Sequence, residues 1–293
     1  MVDINSIQSI TTDMVAAERE RFGKKLGIND LPFSCDGRVP SEDVINKAID
    51  LACKDLMVRT LRRRPDVNEC EKLCSSKFAT FSAKLKSYFT GAPMKDYNEF
   101  DNWHNTVCND DVLPIMESIY KNVAYGKAQK LVNMTFKYLY CFESADDDRY
   151  ADYFKYCHMP LDSYTMEWIK RIVASTAKKR NDKLVADNIP SWSNLSYGKH
   201  TYDDHGKYSY LFFVEKVRSL FSDGNNKPAV TPFQAEFVIW PQIQLKQAAE
   251  AFLIQMKSQD EDENTPNDIR KDIRECSLSQ NIEAIREAIR KNL

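Results

Sequence analysis

Glycine is scarce in this chain, with only 8 among 293 residues, and strand-like alternation of apolar and polar residues is hard to find. Glycine-containing turns between short alternating segments are typical of β-rich folds, so their scarcity argues against such a fold. Apolar residues instead recur at helical spacing along most of the chain. The sequence therefore predicts an all-α protein.

Long apolar runs and clustered cysteines are also missing. No run of about 18 apolar residues is present, so no membrane span is predicted. The first residues, MVDINSIQSITTDMVAAERERF, lack the basic start and apolar core of a signal peptide. The eight cysteines are scattered without a CxxC pair, which favours reduced thiols and argues against a structural zinc or iron–sulfur site. We expect a cytoplasmic protein without a metal or cofactor.

The charge is nearly balanced, with 41 basic and 43 acidic residues and a net charge of −2. This balance does not favour nucleic-acid binding, because many nucleic-acid-binding domains are strongly basic. The distribution is uneven, however. Acidic residues concentrate at 143–152 and 259–268, and basic residues at 59–64 and 121–130. If the acidic segments are loops or linkers, the remaining body is net positive, which is compatible with an anionic partner.

The helical patterns define one large body followed by a tail. They cover residues 42–63, 67–88, 97–108, 111–124, 127–142, 163–180, 208–222 and 231–257. We assign residues 1–257 to the helical domain and 258–268, SQDEDENTPND, to a charged linker. Residues 269–293 carry a partial amphipathic stripe and are expected to form a C-terminal helix. Two alternatives stay open for that helix: docking on the helical domain, or binding to a partner chain.

The segment SIYKNVAYGKAQKLVNMTF (118–136) predicts two helices joined by a tight turn. Gly126 is expected to adopt a positive φ there, with the amide groups of the next helix pointing outward to bind a phosphate. Lys127 and Lys130 add positive charge at the same end, where cations oppose the helix dipole unless an anion is bound, and Lys121 belongs to the same basic cluster. A phosphate contact by Gly126, Lys121 and Lys127 is therefore expected. The alternative is a helical hairpin with solvated lysines.

Lys130 and Asp162 are the candidate catalytic residues. A lysine with a neutral amine can attack C1′ of a nucleotide, expel the base and leave a Schiff base. Asp162 follows Pro160 and precedes a helical pattern, so it is a candidate N-cap. A carboxylate fixed there can stabilise an oxocarbenium-like sugar and exchange protons with the amine. The alternatives are a solvated lysine and a purely structural cap.

Two segments resemble motifs of one enzyme superfamily. GKAQK (126–130) resembles the end of the helix–hairpin–helix of base-excision DNA glycosylases, where a G-x-x-x-K pattern carries the catalytic lysine. HMPLDSY (158–164) resembles their P-V-D segment, which carries the catalytic aspartate, with Leu161 at the valine position. The 32-residue separation of the lysine and the aspartate is most similar to the archaeal-type 8-oxoguanine glycosylase/lyase branch. The hairpin has one glycine where the superfamily usually has two.

The resemblance implies two helical subdomains flanking a cleft, with duplex DNA bound across the cleft and the target base flipped into a pocket. Aromatic side chains are the expected walls of such a pocket, because bases stack on them. The alternative for each is ordinary core packing. The candidates are Trp103, His104, Phe142, His158, Trp168 and Trp192.

The function that these expectations describe is a DNA glycosylase that excises a modified base from duplex DNA, with or without an AP-lyase step through a lysine Schiff base. Two substrate classes stay open, an oxidised purine and a hypermodified pyrimidine of the kind found in phage DNA. The second would imply a role in anti-phage defence. The alternative is a non-catalytic helical protein that binds nucleic acid or serves as a defence or regulatory interaction partner.

Overall fold

The fold is mostly helical. A computed structural model of the chain describes residues 7–28, 39–68, 71–142, 148–180, 188–198, 205–222 and 229–260. Within these ranges the only sheet is a pair of two-residue strands, and the predicted all-α class is confirmed. In the same part of the chain, no helix is long and apolar enough to cross a membrane.

The elements follow one another as short and medium helices with few extended segments. In chain order they are α1 (Thr12–Leu26), α2 (Glu42–Thr60), β1 (Arg62–Arg63), α3 (Ala79–Thr90), α4 (Tyr97–Thr106), α5 (Leu113–Ile119), β2 (Tyr120–Lys121), α6 (Tyr125–Tyr140), α7 (Asp148–Phe154), α8 (Ser163–Arg180), α9 (Tyr210–Ser222) and α10 (Pro232–Asp260).

Local capping explains several of the helix starts. The Ser41 side chain accepts a hydrogen bond from the Val44 amide and begins α2. Thr231 and Gln234 bond each other's amides at the start of α10, which is a capping box. Such pairs satisfy amide groups that a helix leaves without partners. These starts could be predicted because they depend only on neighbouring residues.

Helix α6 lies at the centre of the fold. It packs against α2, α5 and a short turn at Trp192–Asn194, and nearly all of its residues are buried. Several of the buried residues are polar, so their side chains must find partners inside the protein. They are Lys127, Gln129, Asn133, Thr135 and Lys137. Helix α6 therefore contributes apolar side chains to the core and also places polar side chains in the interior of the protein.

The boundaries of several elements differ from expectation. The pattern at 67–88 predicted one helix, but the α-helix begins only at Ala79 after a 3-10 turn. The helices at 97–108 and 111–124 are joined through a π-helical turn, Val107–Val112, and α5 then ends at Ile119. The chain continues as β2, which pairs with β1. Two-residue strands carry no periodicity, so the sequence pattern could not distinguish them from helix ends.

The segments after α6 and α10 extend the helical content further than expected. The second half of the acidic segment 143–152 belongs to α7, Asp148–Phe154. Helix α10 continues to Asp260, so the first three residues of the expected linker are helical. The rest of that linker and the expected C-terminal helix at 269–293 lie outside the described residues.

Candidate functional site

Lys130 and Asp162, which lie 32 positions apart in the sequence, are neighbours in the structure. Lys130 Nζ is 3.4 Å from Asp162 Oδ2, and the two side chains are 16% and 9% exposed. A charge-assisted N–H···O bond is usually 2.7–2.9 Å long, so this contact is a loose ion pair. The site therefore holds an amine and a carboxylate that face each other without being tightly joined.

Asp162 makes a different contact with each of its carboxylate oxygens. Oδ1 accepts hydrogen bonds from the amides of Tyr164 and Thr165, at 2.9 and 3.1 Å, and so caps the first turn of α8. Oδ2 faces Lys130 and also accepts a hydrogen bond of 2.9 Å from Trp240 Nε1. The capping interpretation and the lysine-partner interpretation of Asp162 are therefore compatible, because each uses its own oxygen.

Gln129 ties the segment before Asp162 to the helix that carries Lys130. Its Nε2 donates to the carbonyl oxygens of Gly126 and Leu161, at 2.8 and 2.9 Å. The Leu161 amide donates to Gln129 Oε1 at 3.4 Å, so both backbone groups of Leu161 bond one side chain. Since Leu161 and Gln129 are each adjacent in sequence to a member of the pair, this clamp fixes the pair's separation. Gln129 was not predicted from the sequence as a site residue.

A buried hydrogen-bond network extends from Gln129 into the core. Asn133 Nδ2 donates to Gln129 Oε1 and to Tyr210 Oη, at 2.9 and 3.0 Å. Its Oδ1 lies 2.9 Å from His104 Nε2, and His104 Nδ1 lies 3.1 Å from Tyr125 Oη. Burial, together with the nearby His158, lowers the pKa of His104 well below its usual 6.5. His104 is therefore a neutral member of a core network.

The network ends near the surface at an ion pair. His158 Nδ1 lies 2.8 Å from Tyr210 Oη, and His158 Nε2 lies 2.6 Å from Asp101 Oδ1. Arg218 donates to both Asp101 oxygens, at 2.5 and 2.8 Å. Burial would raise the pKa of Asp101, but the hydrogen bonds from Arg218 and His158 outweigh it and hold that pKa well below its usual 3.8. Asp101 is therefore a partly buried carboxylate with its charge compensated.

Trp192 is the predicted pocket residue that contacts Lys130. The Lys130 ammonium lies 4.9 Å from the centre of the Trp192 ring, a cation–π distance. A Cβ on Gly126 would lie 1.9 Å from the Trp192 carbonyl oxygen, and the Gly126 amide donates to Leu195 O at 2.9 Å. The glycine is thus required for the close approach of the turn that carries Trp192.

This finding corrects the expected role of Gly126 as a turn residue. The positive φ in the α5–α6 connection belongs to Asn122, at 53°, and not to Gly126. The Gly126 amide is bonded within the protein and does not point outward. Asparagine tolerates the left-handed region because its short side chain can bond locally. Asn122 could have been predicted to adopt the positive φ, but that conformation was expected at Gly126.

The two lysines of the expected phosphate contact have different environments. Lys127 is buried, and its Nζ donates to the Asn122 carbonyl at 2.7 Å. Burial and the nearby Arg62 lower the pKa of Lys127. Lys121 is exposed in β2, directly opposite Arg62 of β1. Of the two lysines, Lys121 is the one that presents its charge to solvent.

The other pocket candidates lie in the core or in the buried network. Trp103 packs with its ring centre 4.9 Å from that of Tyr88 and 5.7 Å from that of Phe136. Phe142 and Trp168 are each 1% exposed. His104 and His158 belong to the network described above. Trp192 alone among the six candidates has an observed contact with Lys130 within the described part of the chain.

A second ion pair lies beside the first and was not anticipated. Lys137 Nζ and Glu236 Oε2 are 2.5 Å apart, with side chains only 4% and 2% exposed. Burial raises the pKa of Glu236, and Lys137 opposes that shift. Lys137 follows Lys130 by two helical turns on α6, and Glu236 precedes Trp240 by one turn on α10. The seven-residue spacing of Lys130 and Lys137 in an apolar helix could have indicated that both lysines lie on the same face of α6.

Within the described residues, no group of three or more His, Cys, Asp or Glu side chains could hold a metal ion. No protein-family model matches the chain, and no similar curated protein or solved structure was found. The chemistry of the site itself therefore indicates what it can do. It combines a partly buried amine, a carboxylate fixed at a helix start and an aromatic ring within contact distance.

Proposed function

We propose that this protein is a DNA glycosylase that excises a modified base, with Lys130 as the nucleophile and Asp162 as its carboxylate partner. The observation that carries the proposal is the 3.4 Å separation of Lys130 Nζ and Asp162 Oδ2 in a site from which water is largely excluded. The G-x-x-x-K resemblance points to Lys130, and the P-V-D resemblance points to Asp162. Neither motif by itself requires that the other be near.

The reaction uses both groups in turn. Asp162 accepts a proton from the Lys130 ammonium, and the resulting amine is a nucleophile. Its lone pair forms a bond to C1′ while the bond between C1′ and the base breaks. The departing base takes up the proton that Asp162 had accepted, so Asp162 becomes a carboxylate again. The carboxylate stabilises the positive charge that develops on the sugar. The product is a covalent sugar–lysine adduct, which opens to a Schiff base as a proton passes from its nitrogen to the ring oxygen. β-Elimination of the 3′ phosphate can then cut the strand, and hydrolysis of the Schiff base frees Lys130.

Trp192 supplies the aromatic surface in this proposal. Its ring is only partly buried and lies against the Lys130 ammonium. A base that is flipped out of the duplex loses its stacking partners, and an aromatic ring beside the nucleophile restores part of that stacking. The other five pocket candidates have no such part in the proposal.

The proposed phosphate-binding surface lies on the β1–β2 pair. Arg62 and Lys121 are directly opposite each other and both are exposed. Like charges at opposite positions of an antiparallel pair destabilise it, and an anion bridging them removes that penalty. Arg64 lies on the same face by strand alternation, but it is ion-paired with Asp66. DNA phosphates are the proposed anions.

The test is base release from duplexes that carry 8-oxoguanine, uracil or a glucosylated hydroxymethylpyrimidine. We expect release from one of these duplexes and a fall of about 100-fold or more in Lys130→Gln and Asp162→Asn. Lys86→Gln, an exposed lysine on α3, is the matched control and should retain full activity. No release from any duplex, or release that survives Lys130→Gln, would refute the assignment.

The second candidate function is nucleic-acid binding without catalysis, which the exposed Arg62–Lys121 pair favours. In that case Lys130→Gln would leave DNA affinity unchanged and no duplex would lose a base. Measuring affinity and base release on the same duplexes separates the two functions.

A further inference from the structure

We infer that Trp240 is a positioning residue for the Asp162 carboxylate, a role that rests on the proposed function. Its Nε1 donates a hydrogen bond of 2.9 Å to Oδ2, the oxygen that also faces Lys130 at 3.4 Å. Trp240 belongs to α10 and lies 78 positions beyond Asp162. The bond is therefore a product of the packing of α10 against α8, and local sequence does not dictate it.

The bond from Trp240 fixes the direction in which the carboxylate points. The amides of Tyr164 and Thr165 hold Oδ1, and the indole holds Oδ2. A carboxylate held at both oxygens cannot rotate about its terminal torsion without breaking one of these bonds. Oδ2 therefore stays directed at Lys130. Placement of this kind is what a proton acceptor needs before the reaction begins.

The bond also accounts for the loose contact between Lys130 and Asp162. An unopposed lysine and carboxylate close to 2.7–2.9 Å, whereas the observed separation is 3.4 Å. The indole makes the shorter contact to Oδ2, at 2.9 Å, and competes with the ammonium for that oxygen. The hydrogen bond from Lys130 to Oδ2 is therefore weaker than it would be without the indole. A lysine held loosely can leave the carboxylate and reach C1′. A tightly paired ammonium would stay in place.

Trp240 is itself held in position by neighbours. Its ring packs edge-on against Tyr164, with centres 5.1 Å apart. The Lys137 ammonium lies 5.6 Å from the ring centre, and Lys137 is fixed by its ion pair with Glu236. The Lys137–Glu236 ion pair therefore belongs to the site, because Lys137 contacts the Trp240 ring and Trp240 bonds Asp162.

Trp240→Phe tests the inference by removing the donor while keeping an aromatic ring. In single-turnover base release at saturating enzyme, we expect the rate to fall about 10- to 100-fold, because a hydrogen bond to a charged group is lost. Affinity for the duplex should stay unchanged, since the indole N–H is already bonded to Asp162. Trp103→Phe makes the same chemical change in a ring packed among Tyr88 and Phe136, and it should leave the rate unchanged.

A second measurement reports the bond without depending on activity. The chain has four tryptophans, so ¹⁵N-labelled protein gives four indole N–H signals. Loss of one signal in Trp240→Phe assigns it to Trp240. We expect that signal to move in Asp162→Asn, because the indole then faces a neutral amide.

The outcomes separate this inference from the proposed function. If wild type releases a base and Asp162→Asn does not, a normal rate in Trp240→Phe would overturn the positioning role alone. An equal fall in Trp240→Phe and Trp103→Phe, or an indole signal that ignores Asp162→Asn, would do the same. If wild type releases no base from any duplex, the proposed function fails and the positioning role fails with it.

Discussion

The site is built from residues whose side chains each serve two partners. Asp162 caps α8 with one oxygen and faces Lys130 with the other. Gln129 bonds its own helix and the segment before Asp162. Such shared side chains make a site rigid, because moving one group breaks several contacts. The same feature makes the site sensitive to single substitutions, including those at residues that never touch a substrate.

The Lys137–Glu236 pair gives a prediction at the residue scale. Lys137→Met leaves Glu236 buried without its partner, and we expect a loss of about 3–5 kcal/mol in the free energy of unfolding. The double variant Lys137→Met/Glu236→Leu removes both charges and should recover most of that loss. Urea unfolding measures all three proteins. A double variant no more stable than Lys137→Met would show that the pair's charges are not what the single substitution disturbs.

The elements differ in how well the sequence predicts them. Helix α8 was predicted with its bounds, because Asp162 caps it and its apolar positions recur at helical spacing. The β1–β2 pair was not predicted, since two-residue strands have no periodicity and pair across more than fifty positions. The contact of Trp240 with Asp162 was likewise beyond prediction. It depends on how whole helices pack, which no local pattern encodes.

The β1–β2 pair gives the prediction at the element scale. The double variant Arg62→Gln/Lys121→Gln should weaken binding to duplex DNA of any sequence. The slope of log affinity against log salt should fall by about 1.8, because each lost phosphate contact contributes about 0.9. Binding by fluorescence anisotropy at several salt concentrations provides the measurement.

The control for that experiment is Lys54→Gln/Lys86→Gln, which removes two exposed charges from α2 and α3. The net charge of the protein changes equally in both double variants. If their salt slopes fall equally, the β1–β2 pair is not a specific phosphate-binding surface.

At the scale of the whole molecule, the buried polar network connects the interior of α6 to the protein surface at Arg218. Its members come from α4, α6, α9 and the segment before α8. Such a network makes the relative placement of these elements depend on complete hydrogen bonding, since an unpaired buried group costs about 1–3 kcal/mol. The stability of the molecule and the placement of its site therefore share the same side chains.

The network predicts how stability depends on pH. The folded-state pKa of Asp101 is lowered, so its contribution is fully present above the usual pKa of 3.8 and is lost as pH falls through the folded value. At neutral pH, Asp101→Asn should cost about 2 kcal/mol, because Arg218 and His158 lose a charged partner. The difference between wild type and Asp101→Asn should shrink as pH falls below about 4.

Urea unfolding between pH 3 and pH 7 measures this difference, and the exposed Asp110→Asn reports the effect of removing a carboxylate elsewhere. A difference that stays constant across this range would mean that the ion pair at Asp101 does not stabilise the fold through its charge.

Borohydride trapping tests whether Lys130 is the proposed nucleophile on DNA. The protein is incubated with a duplex bearing an abasic site or a modified base, reduced, and digested for mass spectrometry of the cross-linked peptide. We expect a covalent adduct at Lys130 that is absent in Lys130→Gln and retained in Lys86→Gln. No adduct with any duplex, or an adduct that persists in Lys130→Gln, would contradict it.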